Sequence, residues 1–148
     1  AILDAIDLIK KDISIEEKIY NLLGILIATI DSEFGMIFRL DDREKINNIY
    51  CRKRFKTNWI EVPNYNKSIL YRTIKNKKGE FLIDWENINE IDVLSDTPNW
   101  ESIIVAPLIN KGVIKGVLQV SVPIREKEFD YDDFNLVNTI GNILATYF

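Results

Sequence analysis

The chain has 148 residues, of which 47% are hydrophobic and 28% are charged, a composition that predicts one folded domain and excludes a disordered chain. A net charge of -4 disfavours nucleic-acid binding, and a single cysteine excludes an intrachain disulfide and favours a reducing, cytoplasmic location. The absence of histidine excludes Ser-His-Asp and Cys-His catalysis, haem ligation by imidazole and Cys/His zinc sites.

The N-terminal segment predicts an amphipathic helix. Its isoleucines recur at spacings of four, three and four: Ile2, Ile6, Ile9 and Ile13. This pattern is typical of a coiled coil and equally of a helix that lies on its own domain, so both interpretations stay open. Because the chain begins without Met inside this helix, we expect it to be part of a longer protein. Residues 1–13 would be a linker or signalling helix and residues 14–148 the domain.

A second helix is predicted from Ser14, which fits a capping box with Glu17, to about Ile30. Apolar residues follow the helical period along one face: Ile15, Ile19, Leu22, Leu23, Leu26 and Ile30. Ile25 and Ile27 widen that face. The helix is therefore expected to be buried on more than one side.

A hairpin follows, with strands predicted over residues 36–40 and 45–54. Two basic clusters, at residues 52–56 and 75–78, are interpreted as solvated surface, and the far end of the hairpin is expected to lie in water. Residues 55–65 contain proline and several asparagines and predict an irregular segment. No apolar run is long enough to cross a bilayer, so we expect no membrane insertion by this segment.

The middle of the chain predicts a helix over residues 67–77, capped by Asn66 and ended by Gly79. Its inward positions are Ile69, Leu70, Thr73 and Ile74. A short strand at residues 81–83 precedes a long polar segment at residues 84–99. Loops of this length inside a compact domain are usually functional or mobile.

The C-terminal third predicts two strands, at residues 100–109 and 113–122, and a final helix capped by Asp130. Gly112 supplies positive φ in the tight turn between the strands, and Gly116 marks a bulge or a close backbone approach. The apolar face of the helix comprises Val137, Ile140, Leu144 and Tyr147, broadened by Phe134, Ile143 and Phe148.

Tight hairpins require antiparallel pairing, which fixes the fold class. We predict an α+β domain with a central antiparallel sheet of five to six strands. The terminal helices would pack on one face, and the middle helix and long loop on the other.

The C-terminal half of the sequence resembles a GAF domain. The residues that carry this resemblance are Ser102, Pro107-Leu108, Asn110-Lys111-Gly112, Gly116-Val117-Leu118, Phe129, Asp133 and Leu136. The resemblance covers about residues 14–148, and only residues 102–136 are diagnostic. A PAS-type sensor, whose fold is related, is the nearest alternative, and the long helical N-terminus favours GAF.

The resemblance implies a sensory or regulatory module of a multidomain signalling protein, with companions such as histidine kinases or diguanylate cyclases. It also implies a small-molecule pocket between the sheet and the middle helix. A homodimer formed through the terminal helices would pass the signal to a neighbouring output domain. A ligand-free structural dimerisation module is the alternative. The isolated domain is expected to be non-catalytic, although the full-length protein can be a kinase or cyclase.

The binding motifs of known GAF domains exclude several classes of ligand for this chain. Bilin-binding members of the family pair a cysteine with a histidine, and this chain has no histidine. The sulfoxide reductase members need further cysteines, and Cys51 is the single cysteine here. Cyclic-nucleotide-binding members carry an Asn-Lys pair and then Asp-Glu. Here residues 121–124 lack the first pair, and Phe134 follows Asp133. We therefore identify no cofactor and expect an unknown small molecule.

Two sets of residues are predicted to carry function. The ligand-pocket set is Phe38, Cys51, Tyr71, Arg72, Ile83, Trp85, Trp100 and Val105. The dimer-interface set is Ile2, Ile6, Ile9, Ile13, Val137, Ile140, Leu144 and Tyr147. The aromatic residues of the middle segment can wall a pocket for a flat ligand or serve as core and loop anchors. No catalytic residue and no metal ligand is predicted.

Overall fold

The computed structural model describes residues 2–56, 58–61, 65, 67–82, 102–122 and 129–148, with only the backbone of residue 82. Within these ranges the elements are α1 (Ile2–Ile9), α2 (Ile15–Ile30), β1 (Phe34–Leu40), β2 (Ile46–Lys53), α3 (Lys67–Asn76), β3 (Glu80–Leu82), β4 (Ser102–Asn110), β5 (Val113–Val122) and α4 (Tyr131–Ala145). No helix in this part of the chain is long and apolar enough to span a membrane.

The strands form one antiparallel sheet in the order β2-β1-β5-β4-β3. The β4–β5 hairpin pairs along its whole length, from Ser102 opposite Val122 to Asn110 opposite Val113. β5 also pairs with β1, so it occupies the centre of the sheet. The predicted α+β class and the antiparallel sheet are confirmed.

One side of the sheet, which we call the terminal-helix face, is covered by α1, α2 and α4. Its buried core takes alternate residues of β5 together with apolar residues of the helices: Leu22, Leu23, Leu26, Leu118, Val120, Val122, Val137, Ile140 and Leu144. α1 contacts both α2 and α4. The terminal helices therefore pack together on one face, as predicted.

The opposite side, which we call the α3 face, carries the second apolar cluster. Sheet and helix residues meet there: Met36, Phe38, Cys51, Ile69, Leu70, Ile74, Ile103, Val105, Ile114 and Val117. Because side chains alternate along a strand, neighbouring residues of β5 supply the two clusters in turn. The long polar segment at residues 84–99, predicted for this face, lies outside the described residues.

Two of the three predicted helix caps, Ser14 and Asp130, are confirmed by capping hydrogen bonds. The Ser14 side-chain oxygen accepts from the Glu17 backbone N–H at 3.1 Å. At α4 the capping is reciprocal, because Asp130 accepts from the Asp133 N–H at 2.9 Å while Asp133 accepts from the Asp130 N–H at 3.1 Å. These bonds satisfy amide groups that have no partner within the helix.

The first helix differs from its prediction in length and in its buried face. α1 ends at Ile9, and its core residues are Ala5, Leu8 and Ile9. The side chain of Ile2 is exposed and Ile6 is only half-buried. α1 therefore lies on its own domain, and its contacts with α2 and α4, rather than the isoleucine spacing, decide which residues face inward.

The predicted end of α3 is also corrected. Lys77 adopts a left-handed conformation with φ of 54°, and its N–H donates to the Thr73 carbonyl oxygen at 2.9 Å. Gly79 has a different role, because a side chain there would come within 2.7 Å of the Asn138 amide oxygen and 3.1 Å of the Val105 carbonyl oxygen. The predicted cap Asn66 lies outside the described residues.

The two glycines of the β4–β5 hairpin behave as predicted. Gly112 has φ of 79° in the turn, next to Lys111 at 52°. A Cβ on Gly116 would lie 2.6 Å from the Phe38 carbonyl oxygen, and the register shifts between Leu108 and Ile109. Gly116 thus marks both a close backbone approach and a bulge.

The far end of the β1–β2 hairpin is less solvated than predicted, because its basic residues bind the connection between α2 and β1. Lys53 forms an ion pair with Glu33 at 3.8 Å, and Arg54 forms one with Asp31. The Arg54 N–H also donates to the Glu33 carbonyl oxygen at 2.8 Å. The first basic cluster therefore ties two elements together.

Candidate functional site

The α3 face brings together three of the predicted pocket residues. The strand register sets Met36 opposite both Cys51 and Gln119, and Gln119 opposite Val105. Residues that are opposite one another in a sheet share a face, so these four side chains form a row under α3. Phe38 lies two residues further along β1 on the same face. Phe38, Cys51 and Val105 are all buried.

Two polar side chains interrupt this apolar surface at the centre of the sheet. Gln119 is 3% exposed and Ser121 is fully buried. Among the residues that the structure describes, the Ser121 hydroxyl oxygen has no hydrogen-bond partner. Leaving a buried polar group unpaired costs about 1–3 kcal/mol, so this hydroxyl is a position that a ligand group can satisfy.

An ion pair borders the row at the β3 edge. The Arg72 side chain of α3 donates to the Glu80 carboxylate, and Glu80 is opposite Val105 in the sheet. The Arg72 Nε atom is buried and has no hydrogen-bond partner within the described part of the chain. The charge of Arg72 is therefore balanced, while one of its N–H groups stays available to a ligand.

Two tyrosines mark the α3 side of the site. The Tyr65 ring packs edge-on against Phe38 with centroids 4.9 Å apart. Burial, and then the neighbouring Tyr71, raise the pKa of Tyr65, so its phenol stays protonated at neutral pH. Tyr71 itself is 53% exposed, which places this predicted pocket residue at the rim rather than in the interior.

The thiol of Cys51 is expected to be a poor nucleophile. Burial raises its pKa from 9.0 to about 12. Because the thiolate is the nucleophilic form, a thiol that stays protonated at neutral pH is a poor nucleophile. Cys51 thus acts as a small apolar residue of the α3 face.

The remaining pocket residues predicted from sequence, Ile83, Trp85 and Trp100, lie outside the described residues. Gln119, Ser121, Glu80 and Tyr65 were not among the predicted set. Polar residues at alternate positions of an otherwise apolar strand were the available signal for the first two. That alternation indicates one sheet face with hydrogen-bonding groups in its core.

The predicted dimer-interface residues divide into two groups. Four are buried within the chain's own core and have no surface to offer a partner: Ile9, Val137, Ile140 and Leu144. Ile2 and Tyr147 are 39% and 46% exposed, while Ile6 and Ile13 are half-buried. Tyr147 follows the end of α4 and so does not belong to its buried face. Dimerisation itself stays a prediction.

No known family model matches the sequence, and no curated protein matches it either. Solved structures do match. The GAF domain of an Acinetobacter phosphoenolpyruvate-protein phosphotransferase is 12% identical with a TM-score of 0.73, covering 96% of this chain and 86% of that one. The free methionine-R-sulfoxide reductase of Neisseria meningitidis is 15% identical with a TM-score of 0.73, covering 96% and 81%.

A GAF domain/HD domain protein from Geobacter sulfurreducens is 13% identical with a TM-score of 0.64, covering 93% of this chain and 94% of that one. Similarity at these identities establishes the fold. The chain therefore has the fold of GAF domains, which confirms the resemblance drawn from residues 102–136.

Proposed function

We propose that this domain is a non-catalytic sensory or regulatory module that binds a small molecule on the α3 face and signals through its terminal helices. One observation carries the proposal: the buried, unpartnered hydroxyl of Ser121 stands beside Gln119 on the central strand. Folding alone gives no reason to keep an unpaired hydroxyl there, since burying it costs free energy.

The chemistry of the α3 face defines the kind of ligand. Its buried residues are mainly apolar, which suits an apolar body. Ser121 and the Arg72 Nε–H offer hydrogen bonds, and the charge of Arg72 is already balanced by Glu80. We infer a small ligand with an apolar body and at least one uncharged hydrogen-bonding group.

A signal from the ligand to an output domain would pass through β5, whose alternate residues face the two sides of the sheet. Gln119 and Ser121 lie on the α3 face, while Leu118 and Val120 pack in the core of the terminal-helix face. A ligand that shifts β5 must therefore change the packing beneath α2 and α4. A signal follows only if the ligand has different affinities for the two helix arrangements.

The absence of catalysis is part of the proposal. Cys51 is the single cysteine of the chain, it is buried, and its pKa is raised to about 12. We expect no reduction of free methionine sulfoxide in the presence of dithiothreitol, measured by methionine release. Turnover above that of a Cys51→Ala variant would contradict a non-catalytic role.

Native mass spectrometry of freshly purified protein tests ligand binding. We expect a population heavier than the bare chain, whose extra mass is lost on denaturation and recovered as a free small molecule. Ser121→Ala should reduce the occupied fraction, whereas Thr139→Ala, which removes an exposed hydroxyl of α4, should not. Bare chain alone would favour the ligand-free structural dimerisation module.

The homodimer is proposed to form through the surface that the terminal helices leave exposed. Light scattering should give twice the chain mass, and Ile2→Asp combined with Tyr147→Asp should return it to one chain mass. Val113→Asp changes another exposed apolar residue, at the β4–β5 turn, and serves as the control. A dimer that survives the double substitution would exclude this surface as the interface.

A further inference from the structure

A pocket lies away from the α3 face, where the first turns of α2 meet the segment that follows β2. Its lining residues are Glu16, Glu17, Tyr20, Asn21, Asn58 and Trp59, and its volume is about 360 Å³. We call it the α2 pocket. The Ile60 N–H donates to the Cys51 carbonyl oxygen at 3.2 Å, which holds the Trp59 segment beside β2.

Aromatic rings form one wall of the α2 pocket. The Trp59 ring meets Tyr20 edge-on, with centroids 4.9 Å apart and planes at 81°. Tyr50 supports Trp59 from β2, with centroids 5.4 Å apart. Trp59 remains 37% exposed, so part of its indole is accessible from the solvent.

The charged residues that the structure describes in the lining of the α2 pocket have one sign. Two of its lining residues are carboxylates, and none is basic. Two cations of the described residues lie on aromatic rings near the pocket: Arg52 lies 4.0 Å from the Tyr20 ring centroid, and Lys18 lies 4.8 Å from that of Tyr147. The Tyr20 hydroxyl is buried and has no hydrogen-bond partner in the described ranges.

We propose that the α2 pocket binds a small organic ammonium cation, independently of any ligand on the α3 face. Indole and phenol rings attract such cations through their quadrupole, and two carboxylates add Coulombic attraction. The half positive charge at the N-terminus of α2 and the guanidinium of Arg52 on the Tyr20 ring oppose a cation, so the attraction rests on the two carboxylates and on the Trp59 indole.

The class of cation follows from the lining. In the described ranges, no group of three or more His, Cys, Asp or Glu residues is placed to hold a metal ion. Amide groups of Asn21 and Asn58 complete the pocket. An aromatic and carboxylate lining suits an alkylated ammonium group, which hydrates weakly and presents methyl surface to the rings. A phosphate on the same molecule would be repelled by Glu16 and Glu17.

The test is an NMR titration of the full chain with choline, at an ionic strength held constant with sodium chloride. We expect saturable shifts in the millimolar range at the Trp59 indole N–H and at the side-chain amides of Asn21 and Asn58. The neutral isostere 3,3-dimethyl-1-butanol should not reproduce them. Phosphocholine serves as the probe for a lipid headgroup. It should bind more weakly than choline, because its phosphate would be repelled by the two glutamates.

Variants connect the shifts to the pocket. Trp59→Leu should abolish saturable binding, and Glu16→Gln and Glu17→Gln should each weaken it by about two- to fivefold, the range for exposed cation contacts. These two glutamates are exposed, so their variants should fold even if Trp59→Leu does not. Glu44→Gln and Phe55→Leu remove an exposed carboxylate and an exposed ring elsewhere and are the matched controls.

Four outcomes would overturn the proposal. Equal shifts from the neutral isostere would show an apolar pocket with no preference for charge. Phosphocholine that binds more tightly than choline would point to a lipid headgroup. Shifts that do not saturate, or that persist unchanged in both glutamate variants, would show that the α2 pocket has no ammonium site.

Discussion

The two faces of the sheet are built from neighbouring residues of the same strands, yet they differ in chemistry. Three helices cover the terminal-helix face, where β5 supplies Leu118, Val120 and Val122. On the α3 face, the alternate positions of that strand are Val117, Gln119 and Ser121, and Ser121 has an unpaired hydroxyl.

If the α3 face binds a ligand as proposed, stability and recognition are divided between the two faces of the sheet. An apolar, closely covered surface contributes free energy of folding through burial. A buried surface with unpaired polar groups loses some of that free energy and gains the capacity to bind a polar ligand group. Substitutions on the two faces of β5 should therefore have opposite consequences for the unfolding free energy.

The largest effect is expected on the terminal-helix face. Leu118→Ala removes a fully buried side chain beneath the helices and should lower the free energy of unfolding by about 2–5 kcal/mol in urea titrations. Lys115→Ala, on the same strand but only half-buried, is the control and should change it by less than about 1 kcal/mol. A loss for Leu118→Ala as small as that of the control would mean that this face is not the stabilising core.

Gly116→Ala should lower the free energy of unfolding by about 1–3 kcal/mol, because the added carbon would meet the Phe38 backbone at 2.6 Å. Gly112→Ala, which has open space but φ of 79°, should cost about 1 kcal/mol through backbone strain. Chemical denaturation of both variants gives the two values. A Gly116→Ala variant as stable as the wild-type chain would argue against close packing of β1 on β5.

Stability should fall at alkaline pH because of the α3 face. The folded Cys51 has a pKa of about 12, whereas the unfolded thiol ionises near 9, so the unfolded chain releases its proton first. Between pH 8 and pH 10, the wild-type chain should lose about 1.4 kcal/mol more unfolding free energy than Cys51→Val. Parallel pH profiles for the two proteins would show that the folded thiol ionises normally. The raised pKa of Tyr65 acts in the same direction in both proteins.

The smallest expected change in unfolding free energy is that of Ser121→Ala, and it is stabilising rather than destabilising. Ser121→Ala should leave the unfolding free energy of the ligand-free protein unchanged or raise it by up to about 1 kcal/mol, because it removes an unpaired buried hydroxyl. Thr73→Ala removes a hydroxyl that donates to the Ile69 carbonyl oxygen at 2.9 Å and should lower it by about 1 kcal/mol. Thermal unfolding distinguishes the two, and clear destabilisation by Ser121→Ala would mean that its hydroxyl is already satisfied.

The sequence was most informative where local chemistry decides structure. Side-chain caps at Ser14 and Asp130 located the starts of two helices, and Gly112 located the hairpin turn. Hydrophobic periodicity predicted α2, and two apolar runs on either side of a glycine turn predicted the β4–β5 hairpin. The face of α1 could not be predicted in this way, since its eight residues take their orientation from contacts with α2 and α4.

The site was less predictable than the fold, for a related reason. The polar alternation of Gln119 and Ser121 was visible in the sequence, but their burial depends on α3, which is distant along the chain. The pairing of Lys53 with Glu33 and of Arg54 with Asp31 likewise depends on how α2 returns to the sheet. Such long-range contacts leave no local pattern.

Amide hydrogen exchange tests the ligand-binding role of the α3 face most directly. Freshly purified protein would be compared with the same protein after unfolding, desalting and refolding, a treatment that removes any bound small molecule. We expect faster exchange after the treatment at Ile69, Leu70 and Thr73 of α3, with altered exchange in both α2 and α4. Identical exchange across α3 in a sample whose ligand has demonstrably been removed would contradict binding on this face.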